Sequence, residues 1–510
     1  MPRPLIVTSI DSPGERGLFT QNPRDAGDLI GGSNSALVAN NIVFDIIGRL
    51  SARKGYKTLT TSALSGTPDI EQLFEYEKDK DTSFIISTAT VSSAKKIYHG
   101  TSSLTDITGG VASVGNNWKF VNFNGKVVGV QQGETPIVWA GTGNFADISA
   151  ASGSVPTGNT ACSVYGRLFV ADANKTDIKY CASLDETHWA TGGGTIDTKT
   201  YWPNGTDFIV ALEEFNNQLV VFGRHSILIW SGMHSPSTSP TISDVIDGIG
   251  CIARDSIQSV GDDLIFLDDT GVRSLIRSIE LKSQPLRDLS RNVRSDLKDS
   301  IDALTDKGKI KSAHNPVEGF YILAVPGGID ETWVFDTKFI LPDRSARVTR
   351  WDNIVINSAY YSPIDEKLYF GGEGTIGEYR DYQDAGGSYT LDFEANWDNL
   401  GTTQYKVIKK IQGIFVGGAS SQVNFKWRVD FEDSGDSAVV AIPASSSSLW
   451  GKGLWGTSTW GASDTVIRDL SVNATRTGRN VSFGMTVPIN GEPFSIQKLD
   501  IIAKHGRVNR

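Results

Sequence analysis

The side chains of this chain that could do chemistry are scattered rather than gathered. Six histidines (His99, His188, His225, His234, His314 and His505) fall at no spacing that a metal ion would need. His225 and His234 straddle a hairpin turn, which favours exposure over joint ligation. Three cysteines, Cys162, Cys181 and Cys251, stand far apart with no CxxC. They indicate neither a zinc site nor a disulfide framework, and a reducing compartment is the simpler expectation. Among the carboxylates, SLDETHW (Ser183 to Trp189) resembles a sialidase Asp-box, but it lacks the glycine, is one residue short and occurs once. Asp262, Asp263, Asp268 and Asp269 flank one strand, where turn formation accounts for them. No HExxH, GxSxG, phosphate-binding loop, EF-hand loop or GxGxxG after a strand is present. The expectation is a protein that is not an enzyme and takes no cofactor or metal. The alternative is a carbohydrate-binding or glycoside-hydrolysing propeller, which would need carboxylates converging at its axis.

Two groups suit contact better than catalysis. Arg49, Arg53 and Lys54 form a basic cluster, either a solvated turn or a contact to a partner or to phosphates. Trp450, Trp455 and Trp460, each followed by glycine, lie in a loop over 445–464. That five-residue spacing fits neither a helix face nor one face of a strand. The rings therefore pack over their own domain, anchor a neighbouring subunit or partner, or stack on bases or sugars.

The elements around these residues are mostly hairpins. Seven copies recur: Ser83–Ser102, Phe123–Gly141, Val164–Ser183, Phe215–Gly232, Val260–Ile276, Gly319–Asp336 and Glu366–Asp381. Each has a turn rich in Gly, Asn or Asp, a strand of Val, Ile, Leu and Phe, a second polar turn and a second strand. The copies are spaced at roughly 40 to 60 residues, close to a propeller blade. A blade cannot bury both its faces alone, so a closed ring of blades is the natural solution. The competing reading is a set of ordinary β-sandwiches. Neither the GH nor the WD dipeptide recurs, which argues against a WD40 protein.

One segment breaks the pattern. Over 285–304, Leu286, Leu289, Val293, Leu297, Ile301 and Leu304 fall at steps of three or four, with Pro285 suited to a first helical turn. An inserted amphipathic helix is expected, packed on the propeller or docking a neighbour. After about residue 384 the strands lengthen and alternate cleanly, as in QVNFKWRVDFE. The expected organisation is all-β: an extended N-terminal segment over 1–60 joining the other domains, a β-propeller of six or seven blades over 61–384, and a β-sandwich-like domain over 385–510.

Net charge of −10 argues against a protein that grips nucleic acid through its phosphates. The 53 glycines are scattered, as many tight turns require. No apolar run approaches the ~18 residues of a membrane span, so no membrane insertion is expected.

Two segments carry a family resemblance. NNIVFDIIGRLSARKGY (Asn40 to Tyr56) is similar to the N-x-x-F-D…G-x-L-x-x-R-x-G-Y opening of the tail nozzle proteins of short-tailed bacteriophages. Ile46 and Ile47 stand where that pattern more often has polar residues or Gly. DGIGCIARDSIQSVGDDLIFLDDTGVRSL (Asp247 to Leu275) resembles the family's mid-propeller pattern, and the Trp-Gly loop is similar to one of its loops. The resemblance implies a virion protein made in the host cytoplasm: a homohexamer below the head-to-tail adaptor ring, forming the distal tail tube, or hub. It would retain packaged DNA and give it an ejection path, with tail fibres, spikes or a plug protein nearby. DNA would pass without sequence-specific binding, and an acidic lumen would keep phosphates from sticking. No catalytic residues come with the family.

Overall fold

The computed structural model describes residues 5–20, 34–45, 47–80, 82–111, 117–203, 205, 207–280, 288–327, 331–417, 421–442, 447–448, 459–460 and 467–506. All seven hairpins form; six belong to separate small antiparallel sheets, and the Gly319–Asp336 copy to a nine-stranded sheet shared with the C-terminal part. Their tips take successive positive φ values, 48° and 65° at Asn124-Gly125 and 51° and 61° at Asn216-Asn217. That backbone twist matches the strands it joins and suits Asn and Gly.

The sheets succeed one another as blades. The first comprises Ile70–Asp79, Thr82–Val91, Ala94–His99 and Thr105–Asp106; the second Lys119–Phe123, Lys126–Val130, Ile137–Trp139 and Ala146–Asp147. The third comprises Ala161–Val164, Arg167–Ala171, Asp177–Tyr180 and Gly194–Asp197; the fourth Ile209–Phe215, Gln218–Gly223, Ser226–Ser231 and Thr241–Asp247. The fifth place holds a smaller, three-stranded sheet, Gln258–Val260, Asp263–Asp268 and Gly271–Ser274. The sixth comprises Lys311–Asn315, Phe320–Val325, Glu331–Ile340 and Ala346–Trp351, and the seventh Ser358–Ser362, Lys367–Gly371 and Ile376–Tyr379. The seventh blade takes its fourth strand from Tyr56–Thr58, antiparallel to Ile376–Tyr379, and this clasps the start of the chain to the end of the ring. The architecture is thus a β-propeller with six four-stranded blades and one smaller sheet.

Period-two alternation explains why these sheets form a ring. In the three-stranded sheet Phe266 packs toward the fourth blade with Phe222, while Leu267 packs toward the sixth with Tyr321 and Leu323. Ile86 and Ile97 of the first blade meet Trp118 and Phe120 of the second. Leu73 and Ile85 turn the other way, onto Tyr369 and Ile376 of the seventh. The inner strands therefore feed the inter-blade cores on both sides.

The sandwich is built from both ends of the chain. One sheet joins Phe494–His505 and Lys406–Gly417 to Ile6–Asp11, Ile42–Phe44, Leu50–Ala52, Ile467–Asn473 and Thr477–Gly478. The other runs Ala36–Asn40, Tyr389–Ala395, Val481–Ile489, Gln422–Val429, Asp436–Ala441, and continues into the sixth blade through one parallel bridge, Asn40 to Arg350. The N-terminal segment supplies strands to the sandwich and, through Tyr56–Thr58, to the seventh blade. One core runs without a break from Phe393, Phe415 and Ile501 in the sandwich to Tyr321 and Trp333 in the propeller.

The inserted helix is shorter than 285–304. Residues 281–287, with Pro285 and Leu286, lie outside the described residues. A 3-10 turn at Arg291–Val293 leads into an α-helix at Arg294–Asp302. Before it, the Ser290 hydroxyl accepts a hydrogen bond from Val272 N–H at 3.0 Å and donates to Asp288 at 3.3 Å. Such side-chain bonds compete with helical ones. Leu289, Val293, Leu297, Ile301 and Leu304 are all buried in the shared core, so the helix is a packing element. A second short helix, Leu275–Glu280, replaces the end of the fifth hairpin.

All three cysteines are buried and unpaired. Burial pushes the Cys181 thiol up to about 11 and the Cys251 thiol up to about 12. The nucleophilic thiolate is therefore scarce. Iodoacetamide is expected to leave the native protein unlabelled by mass spectrometry and to modify all three sites once it unfolds. Rapid native labelling of any one would contradict this placement.

Candidate functional site

The inner strands of the blades bring several loops together at one end. The segment Cys251-Ile252-Ala253-Arg254-Asp255-Ser256 delivers an arginine to one end of the axis. Its guanidinium is buried and fully committed. It donates to the Asn117 carbonyl at 2.9 Å, the Trp118 carbonyl at 2.9 Å, the Asn159 carbonyl at 2.5 Å and Asn117 Oδ1 at 2.7 Å. Nε and Nη2 also grip Asp255 at 2.7 and 2.9 Å. Lys311, at the head of the sixth blade, reaches the same carboxylate at 2.5 Å and Gln72 of the first blade at 2.9 Å. Burial alone would raise the Asp255 carboxyl, but Arg254 and Lys311 outweigh it and hold it well below the usual carboxylate range. One arginine, one aspartate and one lysine thus tie inner-strand ends of the first, second, third and sixth blades together. The ring of Phe74 stands 5.7 Å from Tyr360 of the seventh blade and 6.1 Å from Phe120 of the second.

Beside this hub lies a hollow of about 490 Å³ lined by Asp69, Glu71, Lys95, Lys311, Asn357 and Glu373, among others. Its polar groups are largely spent on one another. Glu71 Oε1 accepts from Thr90 at 2.8 Å and Lys95 at 3.2 Å, and Asp69 accepts from Asn357 at 2.9 Å. All three Lys311 protons have partners: Asp255, Gln72 and Asn117. Among the described residues, no group of three or more His, Cys, Asp and Glu is placed to hold a metal ion.

The second cluster lies where propeller meets sandwich. Arg53 is fully buried, which overturns both readings of it as a solvated turn or a partner contact. It forks onto Asp384 at 2.8 and 2.6 Å, and donates to Asn41 Oδ1 at 2.9 Å and the Lys54 carbonyl at 3.0 Å. Its guanidinium lies 4.2 Å from the ring centre of Tyr389 and 5.6 Å from that of Trp351. Asn41, at φ 58°, also bonds the Thr390 carbonyl at 2.8 Å and accepts from the Asp352 N–H at 3.2 Å. Asp45 accepts from the Ile47 and Arg49 N–H groups, both at 2.9 Å, and closes the turn whose Gly48 has φ 92°. Phe44 lies under the Arg347 guanidinium at 4.3 Å. Gly55 passes so close to Gln383 that a Cβ there would stand 2.0 Å from its carbonyl oxygen.

The other contact candidates differ from Arg53. Arg49 is partly buried, pairs with Asp45 at 2.7 Å and reaches Gln497 at 3.2 Å. Lys54 keeps the most exposure of the three and pairs with Glu318 at 2.6 Å. Trp450 and Trp455 lie outside the described residues. Trp460 lies in the two-residue strand Thr459–Trp460, and its side chain is likewise outside them. In SLDETHW, Asp185 accepts from Thr187 N–H at 2.9 Å and bonds His188 at 2.9 Å, the arrangement of a turn. Asp263 accepts from Leu264 and Ile276 N–H groups, while Asp268 and Asp269 pair with Arg273 and Arg224. Sequence reasoning missed Arg254, Asp255, Lys311 and Asp384. A signal for two of them was present: Arg254 and Asp255 are opposite charges set in an otherwise small and apolar run.

No family model matches the chain, and no curated protein matches it. Solved structures do. It is similar to the extracellular domain of BT4673 from B. thetaiotaomicron at TM-score 0.41 and 11% identity, over 80% of this chain and 57% of that one. It is also similar to PorZ, a surface component of the type-IX secretion system of Porphyromonas gingivalis, at TM-score 0.36 and 10% identity. That match covers 63% of this chain and 37% of PorZ. The chain therefore spans about half, and about a third, of the lengths of these two structures.

Proposed function

We propose that this chain is a structural subunit of a phage tail nozzle, working as a rigid two-part block that assembles into a ring. One observation carries the reading. Asn41, Phe44, Asp45, Gly48, Leu50, Arg53, Gly55 and Tyr56, the residues of the nozzle-like opening motif, lie along the path that builds the sandwich edge and clasps the propeller. A motif spent on fixing two domains relative to each other suits an assembly subunit better than a catalyst. The spent hydrogen bonds of the axial hub point the same way, because a binding or catalytic axis needs groups left free for a ligand. DNA would pass between copies, around the axis of the assembly, and the net charge of −10 would keep phosphates from adhering.

Light scattering on purified protein tests this. The expected mass is six times the 55.2 kDa of one chain, and negative-stain images should show rings with an open lumen. A monomer at every concentration, alone or with a head-to-tail adaptor ring, would overturn it. The hollow beside the hub favours a second reading, a carbohydrate-binding or hydrolysing propeller, because Asp69 and Glu373 face each other across a β-bridge there. Oligosaccharide binding that Asp69→Asn and Glu373→Gln abolish would favour that reading instead.

A further inference from the structure

The seam between the first and seventh blades is where the ring closes, and it contains a fully buried carboxyl that the fold serves with hydroxyls and no cation. Glu75, on the inner strand of the first blade, shares a face with Leu73 in that seam and has no exposed surface. Its Oε1 accepts a hydrogen bond from the Ser83 hydroxyl at 2.8 Å. Its Oε2 is enclosed, with no donor at ordinary hydrogen-bond distance and angle. Ser362 of the seventh blade acts on the carboxyl as a second hydroxyl, which burial outweighs, and the Ser362 oxygen itself accepts from the Asp365 N–H at 3.0 Å.

A buried carboxylate served only by hydroxyls and paired with no cation is costly as an ion and far cheaper as a protonated acid. The surroundings favour the acid. From its own blade Glu77 faces it, and the seventh blade brings Tyr360, Asp365 and Tyr369, with Glu378 beyond. None of these is a cation, and Tyr369 is already held by Asp365 at 2.8 Å. Burial first, then the charges of Asp365 and Glu77, push the Glu75 carboxyl above its usual value.

We propose that Glu75 makes ring closure proton-sensitive: the first and seventh blades are held together while it carries its proton, and this seam is the first to open once it ionises. The sign follows from linkage. A carboxyl whose native value is raised contributes stability that is fully present below its ordinary value and is lost as pH rises through the native one. Loosening would strike the blade that borrows Tyr56–Thr58 from the N-terminal segment, the same segment that continues into the sandwich.

Glu75→Gln tests this, because glutamine keeps the shape and an acceptor for Ser83 but cannot ionise. Thermal unfolding at about pH 5 and about pH 8 should show the wild type losing several degrees that the variant retains. Hydrogen exchange, corrected for intrinsic rates, should be faster at the higher pH over 70–91 and 358–371 in the wild type alone. Equal pH dependence in the two proteins, or a variant less stable than the wild type at both values, would overturn the proposal. If Glu75→Gln does not fold, Asp365→Asn decides. It keeps an acceptor for Tyr369, removes one repelling charge, and should move the wild-type loss to lower pH, because the Glu75 carboxyl then ionises sooner; an unmoved profile would overturn the proposal.

Discussion

Replacing Arg53 with methionine is expected to lower the unfolding free energy by about 3–5 kcal/mol, the usual cost of removing one partner of a buried ion pair. Methionine preserves much of the stem but removes the whole guanidinium. Asp384, with a side chain only 12% exposed, would keep its charge and lose both bonds of the fork. The Asn41 side chain and the Lys54 carbonyl would lose donors in the same place, and Tyr389 and Trp351 would lose the cation beside their rings. Urea denaturation followed by tryptophan fluorescence reads the loss directly. Arg53→Lys keeps the charge without the planar fork and should recover only part of it. Pairing Arg53→Met with Asp384→Leu should recover more, because it removes the stranded carboxylate. A single Arg53→Met variant within about 0.5 kcal/mol of the wild type would show that the joint is held by its apolar core alone.

The same arginine shows how far the sequence could be read. Its neighbours in the chain are polar and small, and Arg49, Arg53 and Lys54 together look like a charged surface turn. Asp384, which reverses that reading, lies 331 residues away. Nothing local marks the pair. The propeller was legible for the opposite reason. Apart from the fourth strand of the seventh blade, Tyr56–Thr58, each blade is made of strands that follow one another in the chain, so alternation, turn residues and spacing occur inside a short window. All seven hairpins were visible in that way, and their packing into a core on either side follows from the two-residue period. The sandwich was legible only where its strands are long. Ile42–Phe44 and Leu50–Ala52 are three residues each, and Ser51 finds its hydroxyl partner, Ser495, 444 residues away. The helix lies between these cases: its apolar stripe is correctly buried, but Ser290 and Asp288 redirect the backbone before the first α-helical turn.

Arg254→Met should be as damaging as Arg53→Met, on the order of 3–5 kcal/mol, but through a different route. Arg53 joins two domains; Arg254 joins blades within one. Removing it leaves the carbonyls of Asn117, Trp118 and Asn159 without its donors and leaves Asp255 to Lys311 alone. The inner strands Lys119–Phe123 and Ala161–Val164 begin just after those carbonyls, so their amides should show the largest rise in hydrogen exchange. The sandwich amides should change least. The hub also predicts its own pH limit. Asp255 is held below its ordinary value, so the stability it contributes is present above about pH 4 and lost only in stronger acid. Asp255→Asn should therefore lower stability at neutral pH and flatten that acid loss. A neutral-pH melt for Arg254→Met indistinguishable from the wild type would mean that the inter-blade apolar cores close the ring unaided. The hub would then be a consequence of closure rather than one of its causes.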